Sequence, residues 1–272
     1  MGNGQVTGRA AAFFDLDKTI IAKSSTLAMG RPFYAGGLIN RRAVLRTTYA
    51  QLAFLLGGAD ANSMERMRSY AQQMCTGWDV EVVKAIVDEA LHDLIDPLVY
   101  DEAASLIEQH HAEGRDVVIV SSSGEEIVTG IGRMVGADHV IATRMVVADG
   151  RYTGEMAFYA YGPAKAEAIR ELAADAGYDL AECYAYSDSV TDVPMLEVVG
   201  RPTAVNPDRA LRKIATERGW PVAEFRRPVR LRQRMPQLST AQRTAAGVGV
   251  AVATGVAVLA LGWRSQRRRR VS

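Results

Sequence analysis

The chain has 272 residues, of which 48% are hydrophobic, so it is long enough for one large or two modest domains with a buried core. Its formal net charge of +1 conceals an asymmetry, because eleven arginines and no acidic residue follow Phe225. Residues 1–225 therefore hold 21 basic against 31 acidic side chains. An acidic body excludes the profile of a nucleic-acid-binding protein, whose basic residues cluster on its folded face.

The first nine residues are polar and contain no apolar core of signal-peptide length. They predict a cytoplasmic location for the folded part of the chain. The two cysteines, Cys75 and Cys183, lie far apart and match no metal-binding spacing. Both are predicted to be reduced thiols, as is usual in the cytoplasm.

An apolar run over residues 10–14 predicts the first strand, and a long stretch without strand character follows it. Apolar residues recur there at helical spacing, and Asp79 is a suitable N-cap for the last of the helices. We therefore predict an all-helical insertion over residues 22–97. Its predicted helices are 38–56, 64–74 and 80–95.

Strands and helices alternate from residue 98 onward. Continuous β-branched apolar runs such as residues 117–120 are typical of strands buried in a parallel sheet, and a hairpin is predicted to turn at Asp149-Gly150. The alternation predicts an α/β fold with a doubly wound, Rossmann-like parallel sheet, whose ligands lie beyond the carboxyl ends of the strands. The predicted strands are 117–120, 139–142, 183–186 and 203–205, and the predicted helices are 103–112, 125–135, 163–176 and 193–198.

Two carboxylates, Asp15 and Asp17, stand at the end of the first predicted strand, and Thr19 comes two residues later. Neighbouring carboxylates repel each other and resist full ionisation unless a cation lies between them. The pair therefore indicates either a Mg²⁺ site or an acid/base couple. Taken alone, the same residues are equally consistent with a surface turn, because short Asp-rich turns are common.

Polar residues also follow two later strands and begin one helix. These residues are Ser121, Lys165, Asp188 and Asp192. Each by itself could belong to a turn, cap a helix or be a solvated lysine. Phosphoryl transfer requires a nucleophile, a divalent cation, a cationic side chain and donors to the phosphate oxygens. Together, the strand-end residues supply that set.

The motifs resemble those of the haloacid dehalogenase-like (HAD) hydrolases, in the phosphoserine-phosphatase-like branch (subfamily IB) that carries a helical cap after its first motif. The resemblance covers residues 10–225. It implies a catalytic core over residues 10–21 and 98–225 and a helical cap over residues 22–97. The matching motifs are FFDLDKT at 13–19, VVIVS at 117–121, GPAK at 162–165 and YSDSVTDVPM at 186–195.

This resemblance implies a phosphatase mechanism. Asp15 would be the nucleophile that forms an aspartyl-phosphate, and Asp17 would protonate the leaving alkoxide and then activate water. Ser121 and Lys165 would hold the phosphoryl oxygens. Asp17 favours a phosphatase over the carbon–halogen-cleaving members of the family, because those members need no leaving-group acid at this position.

The same resemblance implies Mg²⁺ as the cofactor. The ion would be bound by the Asp15 side chain, the backbone carbonyl of Asp17 and the Asp188 side chain. Asp192 and Thr19 would lie behind these groups, where Asp192 orients the cationic side chain or metal-bound water.

The substrate is less well defined than the chemistry. Phosphoserine phosphatases carry a Glu shortly after the first motif that binds the substrate's ammonium group, and Ser24 occupies the matching position here. A neutral hydroxyl does not replace that charge pairing, so phosphoserine is not favoured. The prediction is a small phosphomonoester, with phosphoserine-like and lipid-related phosphates both as candidates.

Two other functions remain open. One is a phosphotransferase, in which an alcohol rather than water accepts the phosphoryl group. The other is a non-catalytic, membrane-tethered binding module, which would predict a damaged motif, whereas all four motifs are intact. No nucleic-acid partner is expected.

The C-terminal residues form a separate region. Residues 244–263 are an uncharged run about as long as a bilayer's hydrocarbon core requires, with Trp263 at its edge. They are predicted to be a transmembrane helix that anchors the protein to a membrane; a soluble helix packed on a partner is the alternative. A basic linker, 226–243, and a basic tail, 264–272, flank this helix and would attract anionic lipid headgroups.

Overall fold

The computed structural model describes residues 9–39, 69 and 72–231. Most of the two earlier helices predicted in the insertion lie outside these residues, as does the chain from residue 232 onward, including the predicted transmembrane helix. None of the helices in the described part of the chain is long and apolar enough to cross a membrane.

Within the described residues, seven strands form one sheet in the order β4-β3-β2-β1-β5-β6-β7. Neighbouring strands run parallel except for the antiparallel β3–β4 hairpin, whose turn falls at Asp149-Gly150 as predicted. The α/β fold with a mostly parallel sheet is therefore confirmed. The strands are β1 (Ala11–Phe14), β2 (Asp116–Gly124), β3 (His139–Ala148), β4 (Arg151–Phe158), β5 (Tyr184–Ser187), β6 (Arg201–Val205) and β7 (Val222–Ala223).

Helices cover both faces of the sheet. Phe13 and Phe14 are adjacent in β1, and each is fully buried in a different apolar cluster, because successive strand residues point to opposite faces. Short 3₁₀ turns are present at Asp96–Leu98 and Val190–Asp192. The described helices are α1 (Ser25–Ala28), α2 (Gly30–Ala35), α3 (Val80–Leu94), α4 (Asp101–Ala112), α5 (Glu125–Val135), α6 (Pro163–Ala176), α7 (Val193–Glu197) and α8 (Arg209–Arg218).

The last helix of the insertion, α3, packs closely against the sheet domain. Its N-cap is Asp79, as predicted, whose side chain accepts hydrogen bonds from two backbone amides of the first turn. On the facing helix α5, a Cβ at Gly130 would lie 2.6 Å from Leu91 Cδ1. An alanine there would displace the end of the Leu91 side chain, so the glycine favours the close approach of α3 to α5.

Residues 77–80, just before α3, pair with the far end of the β3–β4 hairpin. The Gly77 amide donates to the Tyr152 carbonyl (2.8 Å), the Tyr152 amide donates to the Trp78 carbonyl (3.0 Å), and the Val80 amide donates to the Gly150 carbonyl (3.0 Å). This short antiparallel pairing gives the insertion a second attachment to the sheet, besides the packing of α3 on α5.

The chain after β7 returns across the start of the sheet domain. The Val229 amide donates to the Val99 carbonyl at 2.8 Å, and the Leu231 amide donates to Asp96 Oδ1 at 2.7 Å. The first residues of the segment predicted as a basic linker are thus hydrogen-bonded to the folded body.

One histidine of α4 is buried against the sheet. His110 is 1% exposed, and its Nδ1 accepts a hydrogen bond from Arg115 Nε at 2.7 Å. A guanidinium only donates, so Nδ1 is unprotonated and Nε2–H donates to Tyr186 Oη at 2.9 Å. Burial, with the charge of Arg115, lowers the pKa of His110 from 6.5 to about 4.

We expect this histidine to make the protein acid-sensitive. When the folded pKa lies below the unfolded one, the unfolded chain binds the proton first, so stability is complete above pH 6.5 and falls as the pH drops towards 4. The free energy of unfolding should decrease by about 2 kcal/mol between pH 7 and pH 5 through this group alone. Urea titrations of the wild type and His110→Gln at several pH values measure the difference.

Thr216→Ala, which changes an exposed, non-titrating side chain on α8, is the control and should keep the wild-type pH dependence. If His110→Gln loses as much stability as the wild type between pH 7 and pH 5, the acid sensitivity arises elsewhere.

Candidate active site

The site lies at the carboxyl ends of the three central strands. Phe14, the last residue of β1, pairs with Ile119 of β2 and with Tyr186 of β5. The Asp15 amide continues this pairing by donating to the Tyr186 carbonyl at 2.9 Å. Residues that follow the three strands therefore meet at one edge, as the sequence predicts for a doubly wound sheet.

Asp15 and Lys165 form the centre of the site. Lys165 lies in the first turn of α6 and is 2% exposed. Its Nζ donates to Asp15 Oδ1 at 2.8 Å and to Asp192 Oδ2 at 2.9 Å. Burial opposes the charged form of Lys165, but the two carboxylates outweigh it and the pKa of Lys165 is raised. The ammonium is therefore charged and bridges residues from two different loops.

Asp192 is held on its other side as well. Its Oδ2 also accepts a hydrogen bond from Ser187 Oγ at 2.7 Å, and Asp192 is 3% exposed. With Lys165 and Ser187 both bonded to it, Asp192 has a fixed orientation. It contacts the lysine rather than solvent, which agrees with one of the two arrangements that the family resemblance implies for it.

Asp188 follows β5 and is 8% exposed. Burial raises its pKa to about 7, opposed by the ammonium of Lys18, whose Nζ lies 3.9 Å from Asp188 Oδ2. The charges of Asp192 and Asp208 raise it further. The described protein groups therefore stabilise the ionised form of Asp188 only in part.

Asp17 is held from the inserted segment rather than from the sheet. Its Oδ1 accepts a hydrogen bond from the Ser25 amide, at the start of α1, at 2.8 Å. Burial raises the pKa of Asp17, and hydrogen bonds from Ser25 and Ser24 oppose that shift. A raised pKa suits a group that must carry a proton near neutral pH.

Ser121 and Thr19 are buried near this edge. Ser121 is 2% exposed, and its Oγ accepts a hydrogen bond from the Ser123 amide at 3.2 Å. Thr19 is fully buried, and its Oγ1 has no hydrogen-bond partner among the described residues. Among the predicted site residues, side-chain hydrogen bonds join Lys165 to Asp15 and Asp192.

The charges and donors at this edge fit a divalent cation. Asp15, Asp188 and Asp192 are buried around a single buried ammonium, that of Lys165. Burial raises the pKa of Asp15, opposed by Lys165 and increased by Asp192 and Asp188. A bound cation would compensate this excess of negative charge.

The donor set also suits magnesium in particular. Across residues 9–39, 69 and 72–231, no three His, Cys, Asp or Glu side chains form a metal-binding group. Mg²⁺ usually takes only one or two carboxylates, together with water and phosphate oxygens. The two carboxylates of Asp15 and Asp188 are therefore enough side-chain ligands for it.

Sequence reasoning missed residues that hold the site in place, among them Asp208, Ser25 and Ser123. Asp208 caps α8 by accepting from the Leu211 amide, and it also accepts from the Val190 amide, which fixes the loop after β5. An N-cap pattern before α8 could have revealed it. Ser25 and Ser123 contact each other through their hydroxyl groups at 2.8 Å, and no local signal predicts a contact between residues so far apart in the chain.

The fold and the site together define a class of protein. Asp15, which follows the central strand, accepts a hydrogen bond from the buried Lys165. Asp17 comes two residues later, and Ser121 lies on the neighbouring strand β2. This arrangement is suited to phosphoryl transfer through a carboxylate nucleophile.

Comparison with known proteins identifies the family. A family model described as "haloacid dehalogenase-like hydrolase" matches residues 12–197. A solved structure of a protein of unknown function from Bordetella pertussis Tohama I is 30% identical, has a TM-score of 0.71 and covers 80% of this chain and 99% of its own. The chain belongs to the haloacid dehalogenase-like hydrolases, as its four motifs predicted.

Several curated relatives match nearly the whole chain. A Streptomyces azureus protein named "Inhibition of morphological differentiation protein" is 66% identical over 96% of this chain and 95% of its own. A "Probable phosphatase" of Mycobacterium tuberculosis is 61% identical over 93% of this chain and 87% of its own. A phosphoserine phosphatase of the same organism is 35% identical over 96% of this chain and 81% of its own.

The bridging lysine should matter for stability as well as for chemistry. Replacing Lys165 by Met leaves the carboxylates of Asp15 and Asp192 buried without a counter-charge. We expect the free energy of unfolding to fall by about 3 kcal/mol. Urea unfolding at neutral pH, in the presence of a chelator, measures this loss.

The double variant Lys165→Met/Asp192→Asn should recover part of that loss, because it removes one of the two unpaired charges. Lys213→Met, at an exposed lysine on α8, should change stability by no more than about 0.5 kcal/mol. A loss below about 1 kcal/mol in Lys165→Met would mean that the ion pairs contribute little.

Proposed function

We propose that the protein is a Mg²⁺-dependent phosphomonoester hydrolase that acts through an aspartyl-phosphate on Asp15. The observation that carries this proposal is the buried contact of 2.8 Å between Lys165 Nζ and Asp15 Oδ1. It places an ammonium beside the nucleophile, where the charge of a phosphoryl group needs to be balanced. The family membership supports the same reaction class.

In the first step, a carboxylate oxygen of Asp15 forms a bond to phosphorus as the bond from phosphorus to the ester oxygen breaks. Asp17 gives its proton to the leaving alkoxide, which departs as an alcohol. Burial raises the pKa of Asp17, which favours its protonated form. Lys165 and Ser121 hold phosphoryl oxygens during the transfer.

In the second step, Asp17 takes a proton from a water molecule whose oxygen bonds to phosphorus. The bond between phosphorus and the Asp15 oxygen breaks, which releases phosphate and restores the Asp15 carboxylate and the protonated form of Asp17. Asp192 keeps Lys165 in place through both steps because it binds the opposite side of the ammonium at 2.9 Å. Bound to Asp15, Asp188 and the Asp17 carbonyl, Mg²⁺ would supply positive charge for the phosphoryl oxygens.

The substrate we propose is a small phosphomonoester whose alcohol part needs no ammonium group. Ser24 stands where phosphoserine phosphatases carry a Glu, and its side chain is a neutral hydroxyl. It therefore offers no negative charge to a substrate. The relative named phosphoserine phosphatase keeps phosphoserine as the competing candidate, and a panel of phosphomonoesters with and without Mg²⁺ separates the two.

We also propose a division of the chain by role. The sheet domain, 10–21 and 98–225, would carry the chemistry. The helical insertion, 22–97, would cover the site and select the substrate. Residues 244–263 would anchor the protein to a membrane, and the flanking arginines would contact anionic lipids. The uncharged length of this run and its flanking charges support the anchor.

Asp15→Asn tests the mechanism. The amide retains the size of the carboxylate but is a far poorer nucleophile, so Mg²⁺-dependent hydrolysis should fall by at least about a thousandfold. Initial rates on p-nitrophenyl phosphate measure the loss, and circular dichroism checks that the fold is retained.

Asp93→Asn, at an exposed carboxylate on α3, is the matched control and should hydrolyse at the wild-type rate. Full activity in Asp15→Asn would refute the aspartyl-phosphate mechanism.

Membrane anchoring is tested by fractionation. The full chain should remain in the membrane pellet after washes with high salt and with alkaline carbonate, because an apolar span resists both. A chain ending at Leu231, which retains the contacts of Val229 and Leu231 with the body, should be recovered in the supernatant. Recovery of the full chain in the supernatant without detergent would contradict the anchor, and release by salt alone would point to attraction by the arginines.

A further inference from the structure

Four hydroxyl-bearing residues connect the inserted segment to the last part of β2. Ser123 Oγ lies 2.8 Å from Ser25 Oγ and 3.1 Å from Thr26 Oγ1. The Ser123 amide in turn donates to Ser121 Oγ at 3.2 Å. Hydrogen bonds therefore connect the start of α1, through Ser123, to Ser121 of β2.

The same helix start also holds Asp17. The Ser25 amide donates to Asp17 Oδ1 at 2.8 Å, and Ser25 is fully buried. Since the amide and the hydroxyl belong to one residue, any movement of Ser25 away from Ser123 also moves the donor that orients Asp17.

Helix α1 cannot fix the position of Ser25 by itself. It has four residues and no side-chain N-cap, and one turn of helix is unstable in isolation. Its far end is fixed by packing, because Met29 is fully buried in the apolar core. Its near end is fixed by the hydroxyl contacts of Ser25 and Thr26 with Ser123.

We propose that Ser25 and Ser123 are positioning residues that aim the proton of Asp17 at the leaving group. Their contact makes the orientation of the acid depend on the same part of β2 that carries Ser121. Phosphate binding by Ser121 and proton transfer from Asp17 then depend on the same contact. This inference rests on the proposed phosphatase function, with Asp17 as its general acid.

A positioning role predicts a dependence on the leaving group. Protonation matters most when the departing oxygen is strongly basic, and it matters little when the departing group is already stable as an anion. In Ser25→Ala and Ser123→Ala, kcat/KM for phenyl phosphate should fall by roughly tenfold to a hundredfold. For p-nitrophenyl phosphate, which is similar in size but a better leaving group, the fall should be no more than about threefold.

In the double variant Ser25→Ala/Ser123→Ala, kcat/KM for phenyl phosphate should be no lower than in the more impaired of the two single variants. Both substitutions remove the same contact between the two hydroxyl groups. Hydrogen exchange gives a readout that is independent of activity. The amides of residues 22–29 should exchange several-fold faster in Ser123→Ala than in the wild type. Thr216→Ala removes an exposed hydroxyl on α8, and it should leave both the kinetics and the exchange unchanged.

Three results would overturn the proposal. An equal loss on both esters would assign the serines to phosphate binding or to folding, and thermal unfolding of each variant separates those two. Unchanged kinetics in the alanine variants would show that Asp17 is oriented without this contact. Unchanged exchange over residues 22–29 in Ser123→Ala would show that the contact does not hold α1.

Failure of the proposed function gives a different pattern. A wild-type protein that hydrolyses neither ester with Mg²⁺, or an Asp15→Asn variant that retains activity, removes the phosphatase mechanism and this inference with it. Activity that depends on Asp15 together with equal losses on the two esters removes only the positioning role.

Discussion

The ion pairs of Lys165 are the constraint around which the site is assembled. One buried ammonium contacts two buried carboxylates, Asp15 at the end of β1 and Asp192 in the loop after β5. Taking three charged groups out of water is unfavourable unless each finds its partners at short distance. The positions of α6, β1 and the loop after β5 are therefore tied to one another through this lysine.

A parallel sheet makes such an assembly possible with few residues. Neighbouring parallel strands end at the same edge, so loops that are far apart in the chain meet there. Asp15 and Asp188 follow strands of the sheet and Lys165 lies at the start of α6, whereas the inserted segment supplies the amide that donates to Asp17. The proposed chemistry would thus use both the edge of the sheet and the short helix α1.

The sequence predicted the elements better than their long-range contacts. Continuous apolar runs and an Asp N-cap are local features, so β2, the hairpin and the start of α3 could be assigned from the chain alone. The meeting of Asp15, Lys165 and Asp188 at one edge followed from the topology rule together with the family motifs. The contact of Ser25 with Ser123 depends on how α1 packs against the sheet, and no local sequence pattern predicts this packing.

The pairing of residues 77–80 with the hairpin also affects how the chain reaches its native state. Trp78 is hydrogen-bonded to Tyr152, a partner about 70 residues further along, and contacts of such sequence separation form late in folding. The insertion is synthesised before β3 and β4. The hydrogen bonds of residues 77–80 therefore cannot form until both strands have been made. Until then its helices would be stabilised by local interactions alone, and their apolar faces would be exposed. Chaperones recognise such exposed apolar surface on a growing chain.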